Sequence, residues 1–141
     1  ETENSFQYLQ SRFSKQVAFT FKAPDFPVLV YLNPILYSWT IENLVKNAID
    51  AMKGRGKITV EISELENDIK VSITDTGKGI PKNKFNTIFE PGYTTKKRGW
   101  GLGLSLTKRI IEEFHNGKIK VSHSEIDKGT TFQIALKRAI N

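Results

Sequence analysis

The chain has 141 residues, of which 38% are hydrophobic and 11% aromatic, enough for the core of one domain. It has no cysteine, which excludes disulfides and Cys-based zinc sites, and its two histidines, His115 and His123, give poor support to a His-metal site or a His-based triad. Lys and Arg outnumber Asp and Glu by 21 to 15, which favours an anionic partner, but without the long basic runs typical of nucleic-acid binding.

The first third of the chain predicts a helix, two extended segments and a long helix. Residues 6–16 have helical apolar spacing, residues 17–21 alternate like a strand, and residues 28–32 form an apolar run typical of an edge strand. Asn33 and Pro34 have the pattern of an N-cap followed by Pro at the first helical position, which predicts a helix over residues 34–52. Its predicted core stripe is Ile41, Leu44, Val45, Ala48, Ile49 and Met52.

The rest of the chain predicts hairpins separated by helices. Residues 57–63 and 69–75 alternate and predict a hairpin, and residues 118–124 and 130–136 predict two more strands. Between them we predict a short helix over residues 82–89, a loop, and a helix over residues 102–115 that ends at Gly117. The core stripe predicted for that helix is Leu106, Ile110, Ile111 and Phe114. Sequential hairpins with one-sided helices predict an α+β fold, a two-layer sandwich of a mixed, mainly antiparallel sheet with helices on one face.

Three polar residues share one face of the long helix. Asn43, Asn47 and Asp50 lie at i, i+4 and i+7. Asn is a mediocre helix former, so two of them in mid-helix need a reason, and amide oxygens are ligands that suit Mg²⁺. The alternative is a solvated polar face, which the helix taken alone favours.

Two motifs follow the first predicted hairpin. Asp75 ends a strand and is followed by Gly77 and Gly79; its carboxylate could accept a hydrogen bond from an exocyclic amine such as that of adenine, with the base lying against the glycine backbone. The alternative is an ordinary Asp-x-Gly turn.

Phe85 and Phe89 stand one helical turn apart before a long predicted loop. As core aromatics they would anchor the base of that loop.

The next motif is Gly-Trp-Gly-Leu-Gly-Leu at residues 99–104, preceded by the cationic run of residues 96–98. Alternating glycines allow close backbone approach, and a helix start presents unpaired N–H groups, so the stretch predicts a phosphate-binding corner. It matches neither the Rossmann nor the Walker A pattern, and the alternative is a flexible loop with a glycine hinge. In the final strand, the hydroxyls of residues 130 and 131 could face a ligand or belong to ordinary strand residues.

Taken in this order, the motifs resemble the GHKL ATP-binding superfamily, and most of all the catalytic domain of sensor histidine kinases. Residues 41–52 match the N box, 75–80 the G1 box, 85–96 the F box and 99–104 the G2 box of that family. The resemblance implies a Bergerat-type ATP-binding domain over residues 15–141. The polar start of the chain suggests a fragment of something longer, so we interpret residues 1–14 as a helical remnant or linker from a preceding dimerisation domain.

The resemblance also implies a role for each motif. Asn47 would coordinate the Mg²⁺ that bridges the ATP phosphates, Asp75 would bind the adenine amino group, and Thr131 would support adenine recognition through water. Lys96, alone or with Lys97 or Arg98, would approach the terminal phosphates. The glycines would let the lid, the stretch of residues 90–103, wrap around these phosphates. The residues implied to act in catalysis are Asn43, Asn47 and Lys96. The residues implied to bind the nucleotide are Asn43, Asn47, Asp50, Asp75, Gly77, Gly79, Ile80, Phe89, Lys96, Gly99, Gly101, Leu102, Gly103, Leu104 and Thr131.

Two positions depart from the family pattern. Asp50 stands where many members carry Lys, which removes a phosphate-facing cation, and Trp100 stands where a small residue is more usual. We interpret Trp100 either as a loop aromatic filling a surface groove or as a residue that pins the lid or docks on the helical domain.

The implied function is that of the ATP-binding half of a histidine autokinase, which passes the γ-phosphoryl group of Mg-ATP to a His on a separate dimerisation domain. Neither His115 nor His123 has a family-like acceptor context. The implied partners are ATP, the dimerisation domain and a response regulator receiver domain, with no nucleic acid. We expect the isolated domain to be monomeric and cytoplasmic and the full protein to be a homodimer; no apolar run reaches the ~20 residues of a membrane span, and anchoring of the full protein stays open.

Three alternatives stand beside this interpretation. A GHKL ATPase of the gyrase, heat-shock-90 or mismatch-repair type is disfavoured, because Asn43 stands where those enzymes carry the Glu that activates water. A non-catalytic nucleotide-sensing module stays open because of Asp50. An anti-sigma-type Ser kinase is disfavoured by the Phe box and the long lid.

Overall fold

The computed structural model describes residue 2 and residues 17–23, 33–65, 68–91 and 103–137. The predicted helix over residues 6–16 and the predicted edge strand over residues 28–32 lie outside these ranges. The elements in chain order are β1 (Val17–Lys22), α1 (Pro34–Ala51), β2 (Gly56–Leu65), β3 (Asp68–Asp75), two 3₁₀ turns (Lys82–Lys84 and Thr87–Phe89), α2 (Gly103–Arg109) continuing in a π-helical segment (Ile110–Phe114), β4 (Lys118–Glu125) and β5 (Gly129–Lys137).

The described strands form one mixed sheet in the order β1-β2-β3-β5-β4. β2 with β3 and β4 with β5 are antiparallel hairpins, and antiparallel pairing of β3 with β5 joins them; we call this β3–β5 pairing the hairpin seam. β1 adds to the outer edge of β2 in parallel. The predicted α+β fold with a mixed, mainly antiparallel sheet is confirmed.

α1 begins where the sequence predicts and covers the sheet with its apolar stripe. The Asn33 side chain accepts a hydrogen bond from the Leu36 N–H at 3.1 Å, and Pro34 follows in the first turn, so cap and proline fix the start together. Five of the six predicted stripe residues are buried, Ile49 is half-buried, and Tyr37 and Thr40 extend the stripe toward the N-terminus. Burial of each large apolar side chain contributes roughly 1.5–3 kcal/mol, so α1 and the sheet face beneath it hold the fold together.

The predicted helix over residues 82–89 is wrong in type. The chain forms two 3₁₀ turns there, with i→i+3 bonds such as Lys84 N–H to Pro81 O at 2.8 Å and Glu90 N–H to Thr87 O at 3.0 Å. Asn86 and the β-branched Thr87 have low helix propensity, so short turns replace a continuous helix.

The core stripe predicted for the last helix is half wrong. Ile110 and Ile111 are buried, but Leu106 is 41% and Phe114 62% exposed, and the third buried position belongs to Thr107. Thr107 is tolerated inside because its hydroxyl donates to the Gly103 carbonyl at 2.7 Å. The change from α-helical to π-helical bonding at Ile110 rotates the residues that follow it, which takes Phe114 out of the stripe.

The end of this helix also differs from the prediction. Asn116, not Gly117, takes the left-handed backbone conformation, with φ of +52°, and the Gly117 N–H then donates to the Ile111 carbonyl at 2.9 Å. Asn is the non-glycine residue that best tolerates this conformation at a helix end. Within the described ranges, no helix has the length and apolar character needed to cross a membrane.

Candidate nucleotide-binding site

Asp75 is the last residue of β3 and its side chain is 4% exposed. Its Oδ1 accepts hydrogen bonds from the Gly77 N–H at 2.8 Å and from the Thr130 N–H at 3.3 Å, across the hairpin seam. Burial raises the pKa of this carboxyl above its ordinary value, while the two backbone donors oppose the shift. The strand end therefore holds a carboxyl whose orientation is fixed by the backbone on both sides of it.

The glycines after Asp75 let the loop fit between two other elements. A Cβ on Gly77 would lie 2.7 Å from the backbone of Ala51 at the end of α1, and a Cβ on Gly79, where φ is +77°, would collide with the Glu125 carbonyl of β4. Backbone bonds hold the same contacts, from Lys78 N–H to Ala51 O at 3.1 Å and from Asp127 N–H to Lys78 O at 2.8 Å. The chain's own backbone thus gives a sufficient reason for both glycines, and their closeness to a base stays a prediction.

The threonine that lies next to Asp75 is Thr130. Thr130 is 4% exposed and lies opposite Asp75 in the hairpin seam. Thr131 is the next residue along β5, so its side chain points to the other sheet face, where its hydroxyl lies 2.9 Å from that of Thr74. Thr130 is therefore the threonine that contacts Asp75, and the role of Thr131 in adenine recognition stays a prediction.

Ser124 belongs to the same cluster and was missed from sequence. Its Oγ accepts from the Ile80 N–H at 2.7 Å and lies 2.8 Å from the Thr130 hydroxyl and 3.0 Å from the Gly129 carbonyl. Strict alternation from Ile119 and Val121 would put Ser124 on the opposite face. A register shift between Val121 and His123 reverses the parity and brings Ser124 inward.

Asn43 does not lie on a solvated face of α1. Its Nδ2 donates to the Thr107 hydroxyl at 2.8 Å, and a Cβ on Gly103 would lie 3.0 Å from its Oδ1. Asn47 is half-buried one turn further along, and Asp50 is exposed beyond it. The structure thus brings Asn43 together with Gly103, the last glycine of the motif of residues 99–104.

The base of the long loop is anchored in the core as predicted. Phe89 is 7% exposed and makes an edge-to-face contact with Phe132, with ring centroids 6.1 Å apart. The Lys108 ammonium lies 5.8 Å from the centre of the Phe89 ring, which joins α2 to this anchor. Phe85, Ile80 and Leu104 are partly buried against the same core.

The phosphate-side predictions fall on residues beyond the described ranges. These are Lys96, Gly99, Gly101 and Leu102, together with Trp100. Among the described residues, no group of three or more His, Cys, Asp or Glu side chains could hold a metal ion. The amide oxygens of Asn43 and Asn47 are of the kind that Mg²⁺ accepts as ligands.

The two histidines lie in different surroundings. His115 is 7% exposed; its Nε2 accepts from the Asn33 N–H at 3.0 Å, and its Nδ1–H donates to the Ile110 carbonyl at 3.1 Å. Both ring nitrogens are thus used to fasten the start of α1 to the end of the last helix. His123 is exposed on β4.

Comparison with known proteins agrees with this arrangement. The family model for histidine kinase-, DNA gyrase B- and HSP90-like ATPases matches residues 34–140. Over 123 residues the chain is 38% identical to the sensor histidine kinase ZraS of Escherichia coli K12, which covers 87% of this chain and 26% of that protein. Over 108 residues it is 44% identical to sporulation kinase E of Bacillus subtilis, which covers 76% of this chain and 14% of that protein. The chain therefore spans about a quarter of one relative and less of the other.

Solved structures show the same fold. The mycobacterial sensor histidine kinase MprB superposes with a TM-score of 0.85 at 23% identity, over 99% of this chain and 93% of that one. The catalytic domain of the histidine kinase ThkA superposes with a TM-score of 0.80 at 29% identity, over 97% of this chain and 88% of that one. ThkA in complex with the response regulator TrrA gives 0.78 at 27% identity, over 98% of this chain and 38% of that one.

The match to the family model runs over residues 34–140. This range includes the asparagines of α1 and Asp75 at the end of β3. The chain belongs to the histidine kinase-, DNA gyrase B- and HSP90-like ATPase family, and within it is the ATP-binding catalytic domain of a sensor histidine kinase.

Proposed function

We propose that this domain binds Mg-ATP between α1 and the loop after β3, and presents the γ-phosphoryl group to a His on a separate dimerisation domain of the full-length kinase. The observation that carries the proposal is a pair of fixed polar groups along the second half of α1. Asn43 is held against Gly103 at the middle of the helix, and Asp75 is bound to Gly77, which packs against Ala51 at the end of the helix. At 1.5 Å per residue, Asn43 and Ala51 are about 12 Å apart along the helix axis, which suits an extended nucleotide.

The adenine end of the proposed site consists of the Asp75 carboxyl and the residues that orient it. Since Gly77 and Thr130 N–H groups both donate to Oδ1, we assign Oδ2 to the adenine amine. The half-buried Ile80, fixed through Ser124, supplies an apolar contact for the base. Desolvation of the carboxyl strengthens its attraction for an N–H donor.

The metal end of the proposed site consists of the Asn47 and Asn43 amides. Amide oxygens suit Mg²⁺, which keeps several waters and phosphate oxygens in its coordination shell and so needs few protein ligands. When bound, the ion supplies neutralisation of phosphate charge, and phosphoryl transfer depends on that and on positioning. Lys96 and the glycines of residues 99–103 are proposed to complete the phosphate end from the lid.

The same geometry disfavours hydrolysis as the main reaction. An amide cannot take a proton from water, and the Asn43 NH₂ group is already bound to Thr107. We therefore expect steady-state ATP turnover by this domain to be negligible. Appreciable turnover would instead favour an ATPase of the gyrase or HSP90 type.

Titration calorimetry with a non-hydrolysable ATP analogue tests the site. We expect Mg²⁺ to raise the nucleotide affinity of the wild type. In Asn47→Ala, this increase in affinity should be smaller by a factor of at least about ten. Asn83→Ala changes an exposed asparagine in the 3₁₀ turn and should bind like the wild type. Equal Mg-dependent binding by Asn47→Ala and the wild type would remove Asn47 from its proposed role.

Partners of the whole protein are proposed by similarity. ThkA, a histidine kinase of the same fold, has been solved with the response regulator TrrA. We propose that the full-length protein also binds a response regulator and passes its phosphoryl group to the receiver domain of that regulator. We propose further that it acts as a homodimer.

A further inference from the structure

A buried hydroxyl on α2 fixes the orientation of the Asn43 amide. Thr107 is 0% exposed, and its Oγ1 donates its single proton to the Gly103 carbonyl at 2.7 Å. The oxygen can then only accept a further hydrogen bond, and the group 2.8 Å away is the Asn43 Nδ2. The NH₂ group of Asn43 must therefore face Thr107, and Oδ1 must face the other way.

The surroundings of Oδ1 explain why that orientation matters. A Cβ on Gly103 would lie 3.0 Å from Oδ1 and 3.2 Å from Nδ2, so α2 approaches the amide with bare backbone at the last glycine of the motif of residues 99–104. If the amide turned over, its positively polarised N–H groups would take the place of the oxygen. A divalent cation would be attracted by one orientation and repelled by the other.

We propose that Thr107 is a positioning residue for nucleotide binding: its hydroxyl holds the Asn43 amide with the oxygen toward the Mg²⁺ of bound Mg-ATP. This inference rests on the proposed function, since it assumes that Asn43 lines the metal end of the site. Thr107 acts only through Asn43, and its loss should weaken the metal-dependent part of nucleotide affinity without affecting the adenine end.

The test compares the affinity of this chain for a non-hydrolysable ATP analogue in Mg²⁺ and in EDTA; the ratio of the two is the Mg enhancement. Thr107→Val removes the hydroxyl and keeps the β-branched shape. We expect it to lower the Mg enhancement about tenfold, in the range of second-sphere substitutions at metal sites, and to leave affinity in EDTA within about twofold of the wild type. Thr107→Ser restores the hydroxyl and should restore the enhancement.

Thr40→Val is the matched control. Thr40 is also 0% exposed, and its Oγ1 also donates to the carbonyl four residues earlier, that of Leu36, at 3.0 Å. This bond lies within α1, so it matches the bond from Thr107 to Gly103 and not the bond between Thr107 and Asn43. Thr40→Val should lower the unfolding temperature to a similar degree and keep the wild-type Mg enhancement. If Thr107→Val shows no cooperative thermal transition, Thr107→Ala takes its place in the same comparison.

The outcomes separate the inference from the proposed function. A wild-type Mg enhancement in Thr107→Val, or an equal loss in Thr40→Val, would overturn the positioning role while leaving the proposed function intact. Absence of Mg enhancement in the wild type itself would overturn the proposed function, and the inference with it. Loss confined to Thr107→Val, with recovery in Thr107→Ser, supports both.

Discussion

Asp75 has to meet two requirements that oppose each other, since it is buried and yet is proposed to present a hydrogen-bond acceptor. Backbone donors from Gly77 and Thr130 hold one oxygen, and burial raises the pKa of the carboxyl above 3.8. The folded protein therefore binds this proton more tightly than the unfolded chain. The stability from this group is fully present below pH 3.8 and is lost as pH rises through the raised pKa.

Asp75→Asn should separate binding from stability. The amide oxygen can still accept from both backbone donors, but an NH₂ group replaces the second oxygen and opposes the adenine amine. We expect calorimetry to show a loss of adenine-nucleotide affinity of roughly 10–100-fold, with unchanged or higher stability at pH 7. A hypoxanthine nucleotide, which carries a carbonyl instead of the amine, is the control. An equal loss for both nucleotides would contradict amine recognition.

Tyr37 gives a second prediction at this scale. Its ring is 1% exposed, its hydroxyl bonds to that of Thr2, and burial raises its pKa to about 12. The stability it contributes is present below pH 10 and is lost as pH rises from 10 to 12, by roughly 2–3 kcal/mol. Urea unfolding between pH 8 and 11.5 should show a shallower decline for Tyr37→Phe than for the wild type. Parallel declines would show that Tyr37 ionises as easily in the folded protein as in the unfolded chain.

Among elements, the loop of residues 75–80 depends on the close approach of β4. Gly79→Ala should destabilise the fold by about 1–3 kcal/mol for the positive φ alone, and by more because its Cβ would collide with Glu125. Gly54→Ala is the control, since Gly54 has a similar φ of +79° with nothing within 4 Å of its Cβ. Urea unfolding should show the larger loss for Gly79→Ala, and nucleotide affinity should fall only there. Equal losses of stability would mean that the contact with β4 has little effect.

At the scale of elements, the N-cap and the apolar stripe predicted α1. Alternation of apolar and polar residues predicted both hairpins. The inward position of Ser124 was not predicted, because which face a strand residue occupies depends on the partner strand. The register shift after Val121 has no signature in β4 itself. The burial of Thr107 in place of Leu106 could not be predicted from sequence either, because it depends on the hydrogen bond from the Thr107 hydroxyl to the Gly103 carbonyl.

At the scale of the whole molecule, this domain should carry no phosphoryl acceptor of its own. His115 has both ring nitrogens engaged, by Asn33 and Ile110, and is 7% exposed; His123 is exposed but has no family-like acceptor context. Incubation with γ-labelled ATP followed by peptide mass spectrometry should therefore find both histidines unmodified. Phosphate on either would contradict the proposal that the acceptor lies on a separate domain.

The hairpin seam also bears on the order in which the molecule folds. Each hairpin is local in the chain, whereas Asp75 and Thr130, which meet across the seam, are 55 residues apart. Loop-closure entropy disfavours such distant contacts, so we expect the hairpins to form first and the seam to close late. The proposed adenine contacts lie at that seam, so they exist only once the two halves have joined. A bound nucleotide would then stabilise contacts that form only after the folding transition state. It should therefore slow unfolding much more than it speeds folding.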